Sequence, residues 1–397
     1  MTVSASPSPA SSSNGDPRVV ARVFALTDVG RSREHNEDTF LVADLESGEP
    51  VGFEAAARDM PAQAHGLLFL VADGMGGAAS GELASSMASD AVLDVMRHEW
   101  QALSGPSAET FALALRDATI AANARIHGFA REHPEHRGMG TTATIAGLLG
   151  DTVYVAQVGD SRAYLLRDGN AKQLTKDQSL MQRLVEAGEM TQEQAEASDR
   201  RNIILQALGP EPQVTIDLTH QQLRRGDTLI LCSDGLSGLV RVDEMARIAA
   251  ESPDVETMCK RLIARANELG GPDNITVIAA RFDGAPLDSC IEGDAVGYNT
   301  YPLAGTLNHD TVEAPQPAQP LRSGLRSDPT PRYGTPAPSA AALEAEFARA
   351  AAAEDAAALG APEEVVEERR RKVEPLYFIL LLIAIAAVMW LLVRLLQ

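Results

Sequence analysis

Residues 69–82, "FLVADGMGGAASGE", decide how the chain is read. An apolar run ends in a carboxylate, Asp73, and the chain then passes through Gly74, Gly76 and Gly77 around a lone Met75. Glycines let a backbone close around a phosphate, or turn it so sharply that a carboxylate can face a metal ion. For the first chemistry, Gly74, Gly76 and Ala79 fit the dinucleotide pattern G-x-G-x-x-A. They stand between a strand-like run and the helix-like "SGELASSMASDAVLDVMRHE", and Asp94 lies about 20 residues on. Against it, Asp73 would set negative charge beside a pyrophosphate, and no G-K-[ST] follows to make a phosphate-binding loop. The stretch alone leaves both open.

The rest of the chain narrows the choice. It has 397 residues, enough for a large core and more than one average domain. A formal charge of -21 makes nucleic acid a poor partner for the chain as a whole. The cysteines, Cys232, Cys259 and Cys290, are odd in number and lack C-x-x-C spacing, which argues for a reducing compartment and against a thiolate zinc site. Cys232, inside "TLILCSDG", reads as a small core residue.

Residues 1–17 are rich in Ser, Pro and Ala and read as a disordered leader without the pattern of a secretory signal. Residues 18–283 read as globular. Strand-like runs such as "GLLFLVAD", "TVYVAQVGD", "DTLILCSDG" and "NITVIAARF" are joined in several places by short polar turns. Helical periodicity falls at 80–99, 108–131, 180–187, 242–250 and 255–269. Hairpin-length connections with grouped helices predict antiparallel sheets in an α+β fold and count against a doubly wound dinucleotide domain. Residues 284–374, rich in Pro and Ala, read as a disordered linker.

Residues 375–396 carry the strongest apolar signal. Positions 376–393 hold no charge, and 18 residues of helix span about 27 Å, near the thickness of a bilayer core. Tyr377 and Trp390 sit toward the ends as interfacial aromatics do. The expectation is a transmembrane tail anchor. Arg369, Arg370, Arg371 and Lys372 precede it and would hold the globular part on the cytoplasmic face of the membrane, a single-pass arrangement.

The carboxylate of the opening stretch is repeated elsewhere. Asp73, Asp160 and Asp234 each end an apolar run and precede a small residue. Asp273 stands just before a strand in "GGPDN", and Glu37 and Asp38 stand at the entrance to another. One Asp-Gly pair after a strand is usually a turn. Several acids gathered at strand ends would repel one another unless cations neutralise them. A set with oxygen ligands and neither His nor Cys suits Mg²⁺ or Mn²⁺ better than zinc.

Eight stretches then fall in order: "GRSREHNED", "VADGMGG", "GMGTTAT", "VGDSRAYLLRDG", "LTKDQSL", "LQALG", "GDTLILCSDGL" and "GGPDNITVI". Together they resemble the type 2C metal-dependent protein serine/threonine phosphatases in their bacterial form, over roughly residues 20–282. The resemblance implies a four-layer α/β/β/α sandwich, two antiparallel sheets flanked by helices. It also implies two Mn²⁺ or Mg²⁺ ions per site and a third, weaker one, and it sets aside the dinucleotide reading.

By the same resemblance, Asp73 bridges the two ions. Asp234 and Asp273 complete the first site, while the Gly74 carbonyl and Glu37, through water, complete the second. Asp160 helps bind the third ion, Asp38 orients water, and Arg33 binds phosphate. Water activated between the ions attacks phosphorus in line, with no phosphoenzyme. Met75 stands where many eukaryotic members carry a histidine proposed to protonate the leaving group, which leaves His35 as one candidate donor. Residues 177–202 correspond to a flap beside the site. The implied partners are phosphorylated proteins and a cognate serine/threonine kinase. The rival readings are a metallophosphatase of small phosphoesters and an inactive scaffold relative, which would have lost metal ligands.

Overall fold

The computed structural model describes residues 17–302, apart from 54–55, 104, 197, 199, 201 and 291–293. The predicted leader, most of the predicted linker and the predicted membrane anchor lie outside the described residues. Among those residues no helix is long and apolar enough to cross a membrane.

Among the described residues thirteen strands form two sheets. In chain order they are β1 (Val20–Asp28), β2 (Asp38–Asp44), β3 (Glu49–Pro50), β4 (Arg58–Pro61), β5 (Leu67–Met75), β6 (Gly140–Thr141) and β7 (Ala143–Leu149). There follow β8 (Thr152–Val158), β9 (Arg162–Arg167), β10 (Asn170–Gln173), β11 (Asp217–Gln222), β12 (Thr228–Cys232) and β13 (Ile275–Asp283). The first sheet runs β10-β9-β12-β13-β1-β4; the second runs β11-β8-β7-β5-β2-β3, with β6 paired to β5. The strand ladders are antiparallel, as the short turns predict.

Among the described residues seven α-helices complete the fold: α1 (Ala78–Val95), α2 (Ala108–Glu132), α3 (Leu180–Glu186), α4 (Gln192–Glu196), α5 (Asp234–Ser237), α6 (Val242–Ala250) and α7 (Val255–Glu268). Their ends carry the expected signals. Ser107 and Thr110 form a capping box on α2, and Asp254 accepts from the Thr257 amide to cap α7.

Strand alternation builds the layers. On β5, Leu68, Leu70 and Ala72 join the apolar cluster with α1 and α2, while Leu67, Phe69 and Val71 face the space between the sheets. On β13, Ile275, Val277 and Ala279 pack with α6 and α7, while Ile278, Ala280 and Phe282 face inward. A strand covered on both faces reads as an unbroken apolar run, which is how these strands look in the sequence. Cys232 is fully buried in the layer under α6 and α7.

The composition-based boundary at residue 283 needs correction. Leu287 is buried, Asp288 accepts from the Arg225 amide through its carbonyl (2.9 Å), and Thr300 bridges to Thr219 on β11. Residues 284–302, read as the start of a disordered linker, therefore pack on the domain where described. Their apolar anchors are isolated (Leu287, Val296, Tyr301), so no periodicity marks them.

Candidate active site

The inward-facing parity that carries the core also carries the site. On β5 it runs Leu67, Phe69, Val71 and next Asp73; on β2, read backward, it runs Val42, Phe40 and Asp38. The two strands are antiparallel, and the register sets Asp38 opposite Asp73. On β13 the same parity reaches Thr276, and past the end of β12 it reaches Ser233. The space between the sheets is apolar along most of its length and turns acidic and hydroxylic at one end.

Asp38 is buried there. Its Oδ2 accepts from Ser233 Oγ and Thr276 Oγ1, each at 2.7 Å, while its Oδ1 has no hydrogen-bond partner. Burial pushes its pKa up to about 7; the two hydroxyls hold it down in part, and the charges of Asp234 and Asp273 raise it further. Asp160 Oδ1 is likewise buried and unpartnered. Burial raises that carboxyl to about 8, aided by Asp234 and Asp177 and opposed by Arg162. Asp73 is raised well above the usual range by burial and then by Asp38, Asp234, Asp160 and Asp273. Acids that arrive from β2, β5, the turn after β8, the start of α5 and the turn before β13 therefore feel one another's charge.

The remaining site residues from the sequence lie around this group. Asp273 Oδ2 accepts from Arg33 Nη2 at 2.8 Å, and the Arg33 side chain is about half exposed, at 49%. Glu37 is raised chiefly by burial, with Arg33 pulling the other way. Gly74 donates its amide to the Glu37 carbonyl, and a Cβ there would overlap the Gly81 carbonyl, so the close approach of α1 to the acidic loop needs glycine. Gly77, at the start of α1, has open space around it but a φ of +88°, so its requirement is conformational. Met75 is exposed at the strand end.

Sequence reasoning missed the residues that hold the acids in place. Asn274 donates to the carbonyls of Val29 and His35 and accepts from the Glu37 amide (2.8 Å), tying the 29–37 loop to the Asp273 turn. Thr142 Oγ1 accepts from the Asp73 amide, and Thr141 Oγ1 donates to the Asp73 carbonyl. Arg162 clamps Asp177 with Nη2 to Oδ2 at 2.6 Å and Nε to Oδ1 at 2.9 Å. The signal was available, because Asn274, Thr142 and Arg162 lie inside the quoted motifs; nothing in a spacing says which neighbour a polar side chain meets.

A cavity of about 790 Å³ opens beside the acids and runs under the segment predicted as a flap; Arg33, Asp160, Asp234, Asp273, Lys176 and Met181 are among its lining. Among the described residues no three His, Cys, Asp or Glu side chains stand close enough together to hold a metal ion as arranged; Asp273 is paired with Arg33 and Asp38 with its two hydroxyls. The donor set nevertheless fits divalent cations. Unpartnered carboxylate oxygens at buried positions are costly, and acids that raise one another's pKa are the groups a cation would relieve. They supply hard oxygens, as Mg²⁺ and Mn²⁺ prefer.

Buried and half-buried acids beside an open cleft, with oxygen donors alone, suit a metal-dependent hydrolase. The model of the protein phosphatase 2C family matches residues 57–270, and the chain belongs to that family. The serine/threonine phosphatase stp of Listeria monocytogenes is 36% identical over 257 residues, 65% of this chain and 94% of its own. The crystal structure of the Mycobacterium tuberculosis serine/threonine phosphatase PstP/Ppp matches with a TM-score of 0.55 at 35% identity, over 66% of this chain and 99% of its own. A structure of the PstP catalytic domain in complex with two manganese ions matches with a TM-score of 0.53 at 35% identity, over 67% of this chain and 99% of its own.

Proposed function

We propose that this protein is a metal-dependent phosphatase that hydrolyses phosphoserine and phosphothreonine in proteins. The observation that carries the reading is the set of mutually repelling acids gathered at the end of the inter-sheet space, two of them, Asp38 and Asp160, with buried, unpartnered oxygens. Asp73, Asp234 and Asp273 would hold one Mn²⁺ or Mg²⁺. Asp73, the Gly74 carbonyl and Glu37 would hold a second, and Asp160 would contribute to a third. Bound there, the ions supply Lewis acidity toward the phosphoryl oxygens and acidify water.

The chain's own groups do the rest. Arg33 stands at the cavity mouth with its guanidinium on Asp273, and the same planar fork can grip two phosphate oxygens. Asp38 is oriented through Oδ2 by Ser233 and Thr276, which leaves Oδ1 to accept a hydrogen bond from the attacking water. Positioning and charge neutralisation carry most of the barrier reduction for a loose phosphoryl-transfer transition state. Met75 offers no proton to the leaving oxygen.

The same reading extends to where the enzyme acts. The uncharged stretch 376–393, preceded by Arg369–Lys372, supports attachment to a membrane with the phosphatase domain on the cytoplasmic side. A serine/threonine kinase whose products it reverses is the partner expected from the chemistry.

The test uses the full chain with phosphothreonine peptide and p-nitrophenyl phosphate, in Mn²⁺, Mg²⁺ or EDTA. Metal-dependent peptide hydrolysis that collapses in a folded Asp273→Ala variant supports the reading. A metal-loaded wild type that turns over only the small ester contradicts it.

A further inference from the structure

Beyond β13 the chain turns back along the second sheet. Asp294 pairs with Arg224 (2.7 Å), Val296 packs on the inter-sheet core, the His220 amide donates to the Asn299 carbonyl, and the Tyr301 amide donates to the Leu218 carbonyl. A strap thus lies along β11, the edge strand of that sheet. It delivers one aromatic ring to the edge of the cleft. Lys176 Nζ sits 4.5 Å from the centroid of the Tyr298 ring.

Lys176 lines the cavity and also pairs with Glu186 on α3, at 3.3 Å. Its neighbours reach the acid cluster directly. Asp177 is the partner of Arg162, and Gln178 exchanges two hydrogen bonds with Gly159, the residue before Asp160. Lysines are scarce here: Lys172, Lys176, Lys260 and Lys372 are the only ones in 397 residues, and two of them line this cavity. A lysine ammonium on a flexible stem is held in place at little cost by a ring face on one side and carboxylates on the other.

We propose that Tyr298 is a positioning residue for substrate: from a strap beyond the last strand it holds Lys176 at the cavity wall, where the ammonium receives an anionic side chain flanking the scissile phosphoserine or phosphothreonine. This rests on the phosphoprotein reading above. It makes residues 294–302 part of the substrate-binding apparatus although they lie outside the stretch that the family model matches.

The experiment combines kinetics with lysine chemistry on the full chain in Mn²⁺. Wild type, Tyr298→Ala, Tyr298→Phe, Lys176→Gln and the Tyr298→Ala/Lys176→Gln double variant are assayed on an acidic phosphothreonine peptide and on p-nitrophenyl phosphate. Wild type and the Tyr298 single variants are also acetylated briefly, and Lys176 is compared with Lys172 by mass spectrometry. Tyr298→Ala is expected to raise the peptide KM by about five- to tenfold, with kcat and the small-ester kinetics within about twofold. Tyr298→Phe, which keeps the ring, stays near wild type; the double variant is no worse than Lys176→Gln; and Lys176 acetylation relative to Lys172 rises severalfold in Tyr298→Ala. An unchanged peptide KM in Tyr298→Ala overturns the proposal, as does an equal loss on both substrates. A wild type that hydrolyses p-nitrophenyl phosphate but no phosphopeptide brings down the phosphoprotein reading and this proposal together. Wild-type peptide turnover with an indifferent Tyr298→Ala brings down this proposal alone.

Discussion

At the end of β9 and the start of β12, Asp227 is buried to 2% exposure and fully answered: Arg167 donates to it through Nε (2.9 Å) and Nη2 (2.6 Å), and the Arg224 amide adds a third bond. At the other end of the same two strands, Asp38 is buried to 8% exposure without a cation, with two hydroxyls on one oxygen and nothing on the other. One aspartate is closed structurally within the chain. The other belongs to a group of acids that the chain itself leaves unneutralised. The difference teaches where the fold bears a cost: a buried carboxylate that keeps an open oxygen and like-charged neighbours marks a candidate site for chemistry, and the Arg167–Asp227 end carries no such burden.

The comparison can be broken first at Asp73. Asp73→Asn should lower phosphopeptide turnover in Mn²⁺ by about 10³-fold, the scale of removing a central electrostatic group, while raising the unfolding midpoint of the metal-free protein. A stability loss without a turnover loss would make Asp73 a structural residue like Asp227. The opposite pattern is expected at Asp227. Asp227→Asn strands Arg167 and should cost about 3–5 kcal/mol in denaturant unfolding, with kcat near wild type wherever the variant is folded.

Asp38→Asn sharpens the contrast. It should cost about 10- to 100-fold in activity, as loss of a group that orients a metal site does, and it should stabilise the metal-free fold because an amide carries no buried charge. Steady-state kinetics and thermal unfolding read the two effects separately.

Much of this site was legible because strand parity and strand ends are local features. An apolar run that stops at Asp73, Asp160 or Asp234 announces both a strand and the acid at its tip. The partners were not legible. Nothing in the order of residues sets Ser233 and Thr276 on Asp38, 195 and 238 positions away, or Arg167 on Asp227. The two ends of the sandwich therefore look alike in sequence, as aspartates beside apolar runs, and only packing separates them. The strap at 294–302 was read as linker for the same reason: its contacts go to β11 and Lys176, not to its own neighbours.

The central claim is that one end of the inter-sheet space holds acids in want of cations, and unfolding against pH tests it most directly. Asp38 and Asp160 have folded values raised to about 7 and about 8, and Asp73 is raised as well, against about 4 in an unfolded chain. Between those values the folded state binds more protons than the unfolded state, so stability present at low pH is lost as pH rises. The thermal midpoint of the metal-free full chain should therefore fall from about pH 5 to about pH 8, Mn²⁺ should restore it most at the upper end, and Asp73→Asn should abolish most of that restoration. A midpoint that stays level or climbs across the window, with no response to Mn²⁺, would contradict the account.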